Sequence, residues 1–599
     1  MRVADFIVDR LAHLGVDTCF LVTGGGAMHL NDAIGASCNF QKIYCHHEQG
    51  AAMAAESYAR TANKPALLNV TTGPGAINAL NGVFGAYTDS IPMLVVSGQV
   101  KRETCLSFNP IPGLRQLGDQ EVDIISMVKT ITKYSHLLKN ATEISDIIDN
   151  AYIEATQGRP GPVWIDIPVD LQGTKLPDDF VQRITMPLPE NNLVPKVADQ
   201  EICSVLELLT TVKRPVILAG SGVRVAGAEG VLLKLAELLQ VPVATAWTHD
   251  IFPSDHPLFA GRPGTIGTRA GNFVVQNADL VLILGSRLNV RQVSYNWSSF
   301  ARHAKKIWVD IDEAEFRKPY VTADKKIIAD VGDFMEKLTR TAQKNAYKPK
   351  HTEWVNWCQE IQTRYSPKDS DYPISSNAIN AYHFISSLFE QLLPSDMVVC
   401  GDATATIVPF QVGKIKQGMR LFSNSGSASM GYDIPAALGA AVAKPDARII
   451  CLAGDGSSMM NIQELQTIKG LNLNILVFIL NNDGYLSIKQ TQRNFFGREA
   501  GSSKESGLSF PDFIKLGEAF GFTTFSLRNQ DWKSDLEKVL HTTGPVFCEV
   551  KLDTVQEFEP RLKSRMVDGV ITTPELEDMY PFLDPQEIIS VRESALSIN

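Results

Sequence analysis

Asp455 and Asn482 are two polar residues that could together hold a divalent cation. Each follows a short apolar run, at 448–453 and 475–480, that is flanked by turn residues and is therefore predicted to be a buried strand. Because ligands of open α/β sheets bind where parallel strands end, we expect the two side chains to meet at one edge of a sheet. Carboxylate and amide oxygens are hard ligands that Mg²⁺ prefers, and diphosphate oxygens can complete its octahedron.

The turn Gly454-Asp455-Gly456 supports this prediction, because its glycines permit a close approach of the backbone to a ligand. We expect a helix to follow, with Ser457 and Ser458 as N-caps and an end near Gly470. Backbone N–H groups at such a helix start can bind phosphate. A Gly-Asp-Gly turn alone is usually only a turn, so the prediction of a magnesium-diphosphate cradle depends on its spacing to Asn482.

The chain resembles enzymes that depend on thiamin diphosphate (ThDP), whose signature is G-D-G, 24 intervening residues and then N-N. The resemblance implies that Mg²⁺ is bound by the Asp455 carboxylate, the Asn482 side chain and the Gly484 backbone carbonyl. It also implies further cofactor contacts in the same stretch, at Gly454, Gly456, Ser457 and Tyr485.

The segment from His46 to Arg60 contains a candidate catalytic acid, Glu48. It matches the H-E-x-G-A…A-x-G-Y-A-R pattern of the same family, with Ser57 where Gly is usual. In that family the glutamate binds the ring nitrogen opposite the cofactor's 4′-amino group and makes that amino group basic. Such a carboxyl needs a dry cleft, whereas the alternative for Glu48 is a solvated residue at a helix start.

Other segments resemble the parts of the family's cofactor and substrate sites. Met430 matches the apolar wedge that bends the cofactor, and Ala428 matches the residue whose carbonyl receives its amino group; an ordinary core methionine is the alternative. The resemblance also places Pro74 and Asn78 at the cofactor. It places three residues at the substrate channel, for which a surface polar residue and plain turns are the alternatives: Gln99, Gly25 and Gly26.

Glu48 and Asp455 lie far apart in the chain, in the first and the last of the predicted domains. In the family these two groups meet across a two-fold interface, with the glutamate from one chain and the diphosphate site from its partner. The resemblance therefore implies a homodimer or a dimer of dimers, because a monomer would hold half-sites only.

Helix-like segments alternate with short apolar strands along the chain, among them 66–70, 215–219 and 280–284, which predicts an α/β protein with three doubly wound parallel-sheet domains. The resemblance assigns them as a pyrimidine-binding domain at 1–185, a middle domain at 193–345 and a diphosphate-binding domain at 372–555. A Pro- and Asn-rich linker at 186–192 and a polar connection near 345–376 separate them. The charged tail, 556–599, is predicted to be irregular and folded over the surface.

Composition excludes several classes of protein. The net charge is −10 without a basic stripe, so we expect no nucleic-acid partner. The nine cysteines are scattered and form no C-x-x-C, which favours a reducing compartment. No uncharged apolar stretch of membrane-spanning length and no secretory leader pattern occurs, so we expect a cytoplasmic protein without a membrane partner.

Several motifs are most similar to the acetohydroxyacid synthase branch, among them T-G-P-G-A at 72–76 and G-R-P-G-P-V at 158–163. That branch binds FAD in the middle domain as a largely structural group, so the resemblance implies FAD here as well. The alternative is an empty middle domain, as in simple 2-oxo acid decarboxylases. The implied FAD contacts are Arg159, Gly220, Gly222, Arg287, Asp310 and Asp330.

The residues that would shape the acceptor site depart from that branch. Lys489 stands where the branch has Trp, Asp119 where it has Phe, and Thr23 where it has Tyr. Charged and small groups in place of large apolar ones predict a roomier, more polar acceptor site, and a lysine could hold an anion. The alternative for Lys489 is a solvated loop lysine.

We therefore predict a carboligase that uses a 2-oxo acid, pyruvate first of all, as donor and transfers its two-carbon unit to a carbonyl acceptor, for which a keto sugar is a candidate. Acetolactate synthesis and simple decarboxylation are the alternatives. A nicotinamide oxidoreductase is disfavoured, because Val225 stands where the dinucleotide fingerprint needs its third glycine. A catalytically idle subunit that binds the cofactor is a further alternative.

Overall fold

The computed structural model describes residues 1–189, 194–247, 249–375, 378–528, 531–567 and 570–598. Three parallel β-sheets follow one another along the chain and are covered by helices, so the predicted α/β class with three doubly wound sheets is confirmed. The domain boundaries drawn from the sequence stay predictions, and the linker residues 190–192 lie outside the described residues.

The first sheet is built from apolar strands that are mostly buried, as parallel strands covered on both faces must be. Its strands are β1 Thr18–Leu21, β2 Gln41–Tyr44, β3 Ala66–Val70, β4 Met93–Gln99, β5 Tyr134–Leu137 and β6 Pro162–Pro168, in the order β2-β1-β3-β4-β6-β5. Its helices are α1 Val3–His13, α2 Met28–Ala36, α3 Glu48–Ala62, α4 Pro74–Asn78, α5 Leu80–Asp89, α6 Ile124–Val128, α7 Ile144–Thr156, α8 Val169–Gln172 and α9 Phe180–Arg183.

The middle sheet has five parallel strands and its own apolar core. The strands are β7 Pro215–Ala219, β8 Val243–Thr245, β9 Leu280–Leu284, β10 Lys305–Asp310 and β11 Lys325–Ile328, in the order β11-β10-β9-β7-β8. The helices are α10 Asp199–Thr211, α11 Gly222–Val225, α12 Glu229–Leu239, α13 Arg269–Asn277, α14 Val290–Val293, α15 Val331–Lys344 and α16 Thr352–Tyr365.

The third sheet repeats the strand order of the first, so the first and third domains share one sheet topology. Its strands are β12 Met397–Cys400, β13 Arg420–Phe422, β14 Ile449–Gly454, β15 Ile475–Asn481, β16 Thr523–Leu527 and β17 Val546–Lys551, in the order β13-β12-β14-β15-β17-β16. Its helices are α17 Ala381–Gln391, α18 Thr404–Val412, α19 Asp433–Ala443, α20 Asp455–Ser458, α21 Glu464–Gly470, α22 Leu486–Phe496, α23 Phe513–Ala519 and α24 Trp532–His541.

The prediction that Ser457 and Ser458 cap one long helix is wrong. α20 begins at Asp455 with Gly454 as its N-cap, ends after one turn, and is followed by α21, which does end at Gly470. Ser457 does not act as a cap because its hydroxyl donates a hydrogen bond to the Asp433 carboxylate at 2.5 Å.

The segments that join and follow the predicted domains contain regular structure, and the prediction of an irregular tail is wrong. The polar connection near 345–376 contains α16, whose Trp354 and Trp357, three residues apart on one helix face, are buried against the middle domain. The tail is not irregular: it forms a hairpin of β18 Arg565–Val567 and β19 Val570–Thr572, followed by α25 Pro585–Leu596. The charges that suggested an irregular tail include Glu577, which is buried and paired with Arg302 and Arg592.

The first and third domains are held together by α3 and α19. A Cβ at Gly439 would lie 2.0 Å from the Ala54 carbonyl oxygen, so the two helices are in backbone contact there. Ser57, which stands where the ThDP family pattern has glycine, donates its hydroxyl to the Ala436 carbonyl at 2.6 Å. Among the residues with described placement, no helix has the length and apolar character needed to cross a membrane.

Candidate active site

Asp455 and Asn482 meet at the carboxyl edge of the third sheet, as predicted, because β14 and β15 are hydrogen-bonded neighbours. A cavity of about 260 Å³ runs along this edge and is lined from the third domain and from the middle domain. Its lining includes all the residues that the sequence analysis assigned to the cofactor in this domain: Gly454, Asp455, Gly456, Ser457, Asn482, Gly484, Tyr485, Ala428 and Met430.

The Asp455 carboxylate organises the loop that follows β15. One oxygen accepts the backbone N–H groups of Asn482 at 3.1 Å and Gly484 at 3.0 Å, and the other accepts that of Gly456 at 2.7 Å. Burial nevertheless raises the pKa of Asp455 to about 6, because three neutral donors do not replace water fully. A cation beside this carboxylate would stabilise its charged form.

The donors present fit Mg²⁺. The Asn482 side-chain oxygen is buried and has no hydrogen-bond partner among the described residues, while its amide nitrogen donates to the Thr404 hydroxyl at 3.3 Å. A buried oxygen of this kind is normally satisfied, and a cation is a suitable partner for it. No group of three or more His, Cys, Asp or Glu side chains that could hold a metal occurs in the described ranges, so a metal here must also use amide and carbonyl oxygens.

Two glycines of this site are fixed by close contacts. A Cβ at Gly456 would lie 1.9 Å from the Tyr485 ring, and one at Gly484 would lie 2.2 Å from the Ser502 carbonyl oxygen. Gly484 also has a φ of +143°, which L side chains rarely adopt. The backbone can therefore approach a ligand at both positions only because they are glycine.

The turn that carries Ala428 and Met430 is held against α20. The Gly431 N–H donates to the Ser457 hydroxyl at 2.8 Å, and that hydroxyl donates to Asp433, whose pKa burial raises to about 7. Ala428 has a φ of +50°, in the left-handed region, which costs a non-glycine residue roughly 1 kcal/mol. Strain at a residue predicted to contact the cofactor is consistent with a functional constraint.

Glu48 begins α3 and is buried, so the alternative of a solvated helix-start residue is wrong. Its carboxylate accepts the Asn78 side-chain amide at 3.0 Å, and a Cβ at Gly75 would lie 3.0 Å from it. The turn that contains Pro74 therefore packs against Glu48, as the predicted shared site requires. Glu48 does not line the cavity of Asp455 within one chain.

Gly25 and Gly26 lie beside the same turn. Gly26 donates its N–H to the Thr71 hydroxyl at 3.1 Å, and a Cβ on Gly26 would lie 2.7 Å from the Thr72 methyl group. Gly25 is exposed, with open space where a Cβ would be. The first domain thus presents Gly25 and the 72–75 turn on one edge.

Gln99 was predicted to line the substrate channel, and the geometry corrects this. Its side chain is 2 % exposed; its amide nitrogen donates to the Val122 carbonyl and the Asp166 carboxylate, each at 2.9 Å, and its oxygen accepts the Thr72 hydroxyl at 2.9 Å. These bonds leave no amide proton for a substrate. Gln99 is a positioning residue that links Asp166 to the 72–75 turn.

Replacing Asp166 by Asn tests this link. The Asp166 carboxylate accepts hydrogen bonds from the Ser97 hydroxyl, at 2.6 Å, and from the Gln99 amide. The amide nitrogen of an asparagine at this position would face one of these two donors and could not accept its hydrogen bond. A buried donor without an acceptor costs roughly 1–3 kcal/mol, so we expect the free energy of unfolding to fall by about 2 kcal/mol. Denaturant titration measures this, with Asp178→Asn, at an exposed position, as control. An unchanged midpoint for Asp166→Asn would contradict the positioning role.

Lys489 does not shape an acceptor pocket, and it is not a solvated loop lysine either. It is 2 % exposed, and its ammonium donates to the Asn482 and Asp483 carbonyl oxygens at 3.1 and 3.3 Å. Burial lowers its pKa. Both residues lie in the first turn of α22, which begins at Leu486. In this helix Ile488 faces the cavity and Lys489 lies under the preceding loop, so Ile488 lines the cavity instead.

Sequence reasoning missed several residues that the middle and third domains bring to the cavity. They are Trp247, Ile266 and Arg291 from the middle domain, and Asp402 and Thr404 from the third. The guanidinium of Arg291 has no hydrogen-bond or ion-pair partner in the described part of the chain. A solitary Arg in α14 carries no local signal in the sequence, since only the contact between domains places it here.

The residues predicted to contact FAD gather at a second cavity of about 260 Å³, at the carboxyl edge of the middle sheet. Arg159, Gly222, Arg287, Asp310 and Asp330 line it, and Gly220 lies directly below, where a Cβ would be 2.4 Å from the Gly285 carbonyl oxygen. Burial raises the pKa of Asp310 to about 6. An acidic residue at a strand end beside a glycine turn suits the ribose of a dinucleotide.

Comparison with known proteins matches the chain to three successive family models. They are the thiamine pyrophosphate enzyme N-terminal TPP binding domain at residues 1–127, the central domain at 202–338 and the C-terminal TPP binding domain at 402–550. The large subunit of acetolactate synthase isozyme 1 from Escherichia coli (strain K12) is 30% identical over 562 residues, covering 93% of this chain and 95% of its own length.

Two further relatives span a similar share of the chain. The acetolactate synthase large subunit of Lactococcus lactis subsp. lactis is 30% identical over 560 residues, or 93% of this chain and 94% of its own length. The probable acetolactate synthase large subunit of Methanocaldococcus jannaschii is 32% identical over 574 residues, or 93% of each chain.

Proposed function

Because this chain belongs to the thiamin diphosphate enzyme family, in the branch similar to acetolactate synthases, we propose that it is a decarboxylating carboligase with a 2-oxo acid donor. The family resemblance inferred from the motifs is thereby confirmed. In the proposed reaction the bond between the carboxylate and the carbonyl carbon of pyruvate breaks, carbon dioxide leaves, and the two-carbon remainder forms a new carbon–carbon bond to a second carbonyl compound.

One observation carries this proposal: the Asp455 carboxylate and the Asn482 oxygen, which has no hydrogen-bond partner among the described residues, converge at one wall of a cavity at the end of β14 and β15. The Asp455 carboxylate, the Asn482 side-chain oxygen and the Gly484 carbonyl would hold Mg²⁺. Ala428 and Met430 would orient the bound cofactor, and the apolar wall at Ile488 would exclude water. Bound ThDP supplies the electron sink that lets a 2-oxo acid lose its carboxylate.

We further propose that each active site is completed by Glu48 of a second chain, in a homodimer or a dimer of dimers. Support comes from Glu48, which binds Asn78 and does not line the Asp455 cavity of its own chain. There Glu48 would hold the proton that activates the cofactor's amino group. The mass of the enzyme in solution should therefore be two or four times 65.7 kDa.

For the middle domain we propose FAD, supported by the cavity that joins Arg159, Arg287 and Asp310. The purified protein should release a flavin on denaturation. Mass spectrometry of the released ligands measures this directly, and release of ThDP without flavin would contradict FAD binding while leaving the carboligase proposal intact.

The acceptor that the geometry favours is a second 2-oxo acid, which makes acetolactate synthesis the preferred reaction. Support comes from Arg291, an unpaired cation on the cavity wall in the described part of the chain, which suits a carboxylate. A keto sugar is the second candidate, because Thr23 and Asp119 are exposed, small or charged groups on the edge proposed to face a partner's cofactor. Lys489, which first suggested a polar acceptor, no longer supports it.

Product analysis with pyruvate alone, and then with an added keto sugar, distinguishes these reactions. Rapid, saturable formation of acetolactate would support a 2-oxo acid acceptor and contradict the keto sugar. Release of carbon dioxide with acetaldehyde as the only product would indicate a simple decarboxylase. Product formation only after a keto sugar is added would support the second candidate. No turnover with any of them would contradict the carboligase proposal.

Replacing Arg291 by Gln should raise the pyruvate concentration needed for half-maximal acetolactate formation about tenfold or more, since a charge-assisted hydrogen bond contributes roughly 1.5–3 kcal/mol. Carbon dioxide release in a single turnover should change much less, because the donor loses its carboxylate before the acceptor reacts and Arg291 is proposed to bind the acceptor only. Parallel assays of the two products measure this. The control is Arg498→Gln, at an exposed position after α22. An equal loss in both assays would contradict an acceptor-specific role.

A further inference from the structure

A third cavity, of about 160 Å³, lies where the three domains meet. The first domain contributes the end of α3 and the turn after α5, the middle domain contributes Arg224 and the segment 249–251, and the third contributes Arg420 and Phe422 of β13. The Asp455 cavity shares no lining residue with it. It adjoins the proposed flavin cavity and shares five lining residues with it, Ser90, Thr156, Pro160, Ser221 and Val225, but the arginines that line the two cavities differ.

Two guanidinium groups approach one aromatic ring in this cavity. The guanidinium carbons of Arg60 and Arg420 lie 5.8 and 5.5 Å from the centroid of Phe422. Their side chains are only 11% and 12% exposed, so bulk water solvates them poorly. The ring contacts and the burial fix both groups in place before any ligand arrives.

Both groups retain unused donors. Arg420 uses only its Nε, which donates to Asp250 at 2.8 Å, and its two terminal nitrogens have no hydrogen-bond partner in the described ranges. Arg60 donates from Nε and Nη2 to Glu56 and Asp89, and its Nη1 has no such partner. The Nε of Arg224 is buried and also without a partner among the described residues. A buried donor such as this Nε is normally satisfied.

The charges that line the cavity are predominantly positive. Arg60, Lys64, Arg224 and Arg420 line it together with two carboxylates, Asp89 and Asp250. Further carboxylates pair with these cations from outside the lining: Glu56 with Arg60, Glu229 with Arg224 and Asp17 with Lys64. His249 also lines the cavity, but burial lowers its pKa to about 4, so it adds no charge near neutral pH.

Asp250 serves two arginines at once, Arg224 at 3.1 Å and Arg420 at 2.8 Å. Burial lowers the pKa of Arg420, and the positive charges of Arg224 and Arg60 lower it further. The Asp250 carboxylate raises it. A second negative charge near Arg420 would therefore stabilise its guanidinium.

We propose that this cavity binds a small oxyanion, a phosphate or the carboxylate of a small acid, between the guanidinium groups of Arg60 and Arg420. Such a ligand would bond groups from the first and third domains and lie against the middle domain. It would therefore stabilise the folded assembly of all three. The site does not depend on the proposed catalytic reaction.

Titration calorimetry of the holoenzyme, saturated with ThDP, Mg²⁺ and FAD, tests the proposal with two probes. Inorganic phosphate is one, and oxamate, an unreactive carboxylate of the size of pyruvate, is the other. We expect at least one of them to bind at one site per chain with a Kd below about 1 mM. Arg420→Met should weaken that binding at least about tenfold, and Arg420→Lys, which keeps the charge but not the fork of donors, should weaken it partly.

The control is Arg528→Met, because Arg528 is 57% exposed and pairs only outside this cavity. Absence of binding of both probes at about 20 mM, or binding unchanged in Arg420→Met, would overturn the proposal. Crystals of the unaltered protein soaked in selenate give a test that needs no variant. An anomalous peak between Arg60 and Arg420 supports the site, and peaks elsewhere only would overturn it.

Discussion

Glu48→Gln will lower kcat for decarboxylation of pyruvate by about a thousandfold while ThDP stays bound. Glutamine keeps the size of the side chain and can still accept the Asn78 amide, so the buried N-terminus of α3 should remain intact. It cannot exchange a proton with the cofactor, and loss of a positioned acid or base costs roughly 10²–10⁴ in rate. Steady-state kinetics and calorimetric titration with ThDP measure the two effects separately.

The control for this prediction is Glu103→Gln, an exposed glutamate of the same domain, which should leave kcat unchanged. A Glu48→Gln enzyme that keeps more than about a third of the unaltered kcat would remove Glu48 from the mechanism. If neither the unaltered protein nor Glu48→Gln decarboxylated pyruvate, the alternative of a catalytically idle subunit would be supported.

Asp455→Asn will lower the affinity for ThDP in the presence of Mg²⁺ by at least about a hundredfold. The carboxylate accepts three backbone N–H groups, and an asparagine amide would oppose at least one of them while supplying no charge to the cation. A buried polar clash of this kind costs roughly 1–3 kcal/mol before the loss of the metal ligand is counted.

The matched control is Asp483→Asn, one residue after Asn482. Asp483 is exposed and has a φ of +53°, which asparagine tolerates as well as aspartate does. Titration calorimetry with ThDP in Mg²⁺ should give the unaltered affinity for this variant. If Asp455→Asn bound ThDP as tightly as Asp483→Asn, the metal assignment would be wrong.

The parts of the fold that the sequence predicts well are those with local signals. The buried strands β3, β7 and β9 were predicted to the residue, because their apolar runs are bounded by turn residues. The Asp455 and Asn482 pair was predicted from strand ends and spacing alone, since neighbouring parallel strands bring their carboxyl ends to one edge.

The features that sequence reasoning missed depend on contacts between distant segments. Arg291 reaches the cavity only because the middle domain packs against the third, and nothing near it in the chain indicates this. Lys489 was misplaced because its environment is decided by the helix phase of α22 and by two carbonyl groups of the preceding loop. The charged tail was predicted to be irregular because Glu577 carries no sign of its buried partners, Arg302 and Arg592.

Mixing of two inactive chains tests the central claim most directly, namely that Glu48 and Asp455 of different chains form one active site. Glu48→Gln and Asp455→Asn chains are co-expressed with different tags, and the mixed dimers are purified through both tags. In a mixed dimer one site combines both altered residues, while the other combines the intact Glu48 of one chain with the intact Asp455 of the other. We expect mixed dimers to recover about half of the unaltered activity per dimer, because one of two sites is complete. Mixed dimers as inactive as each parent would contradict the account, since sites formed within single chains would all carry one altered residue.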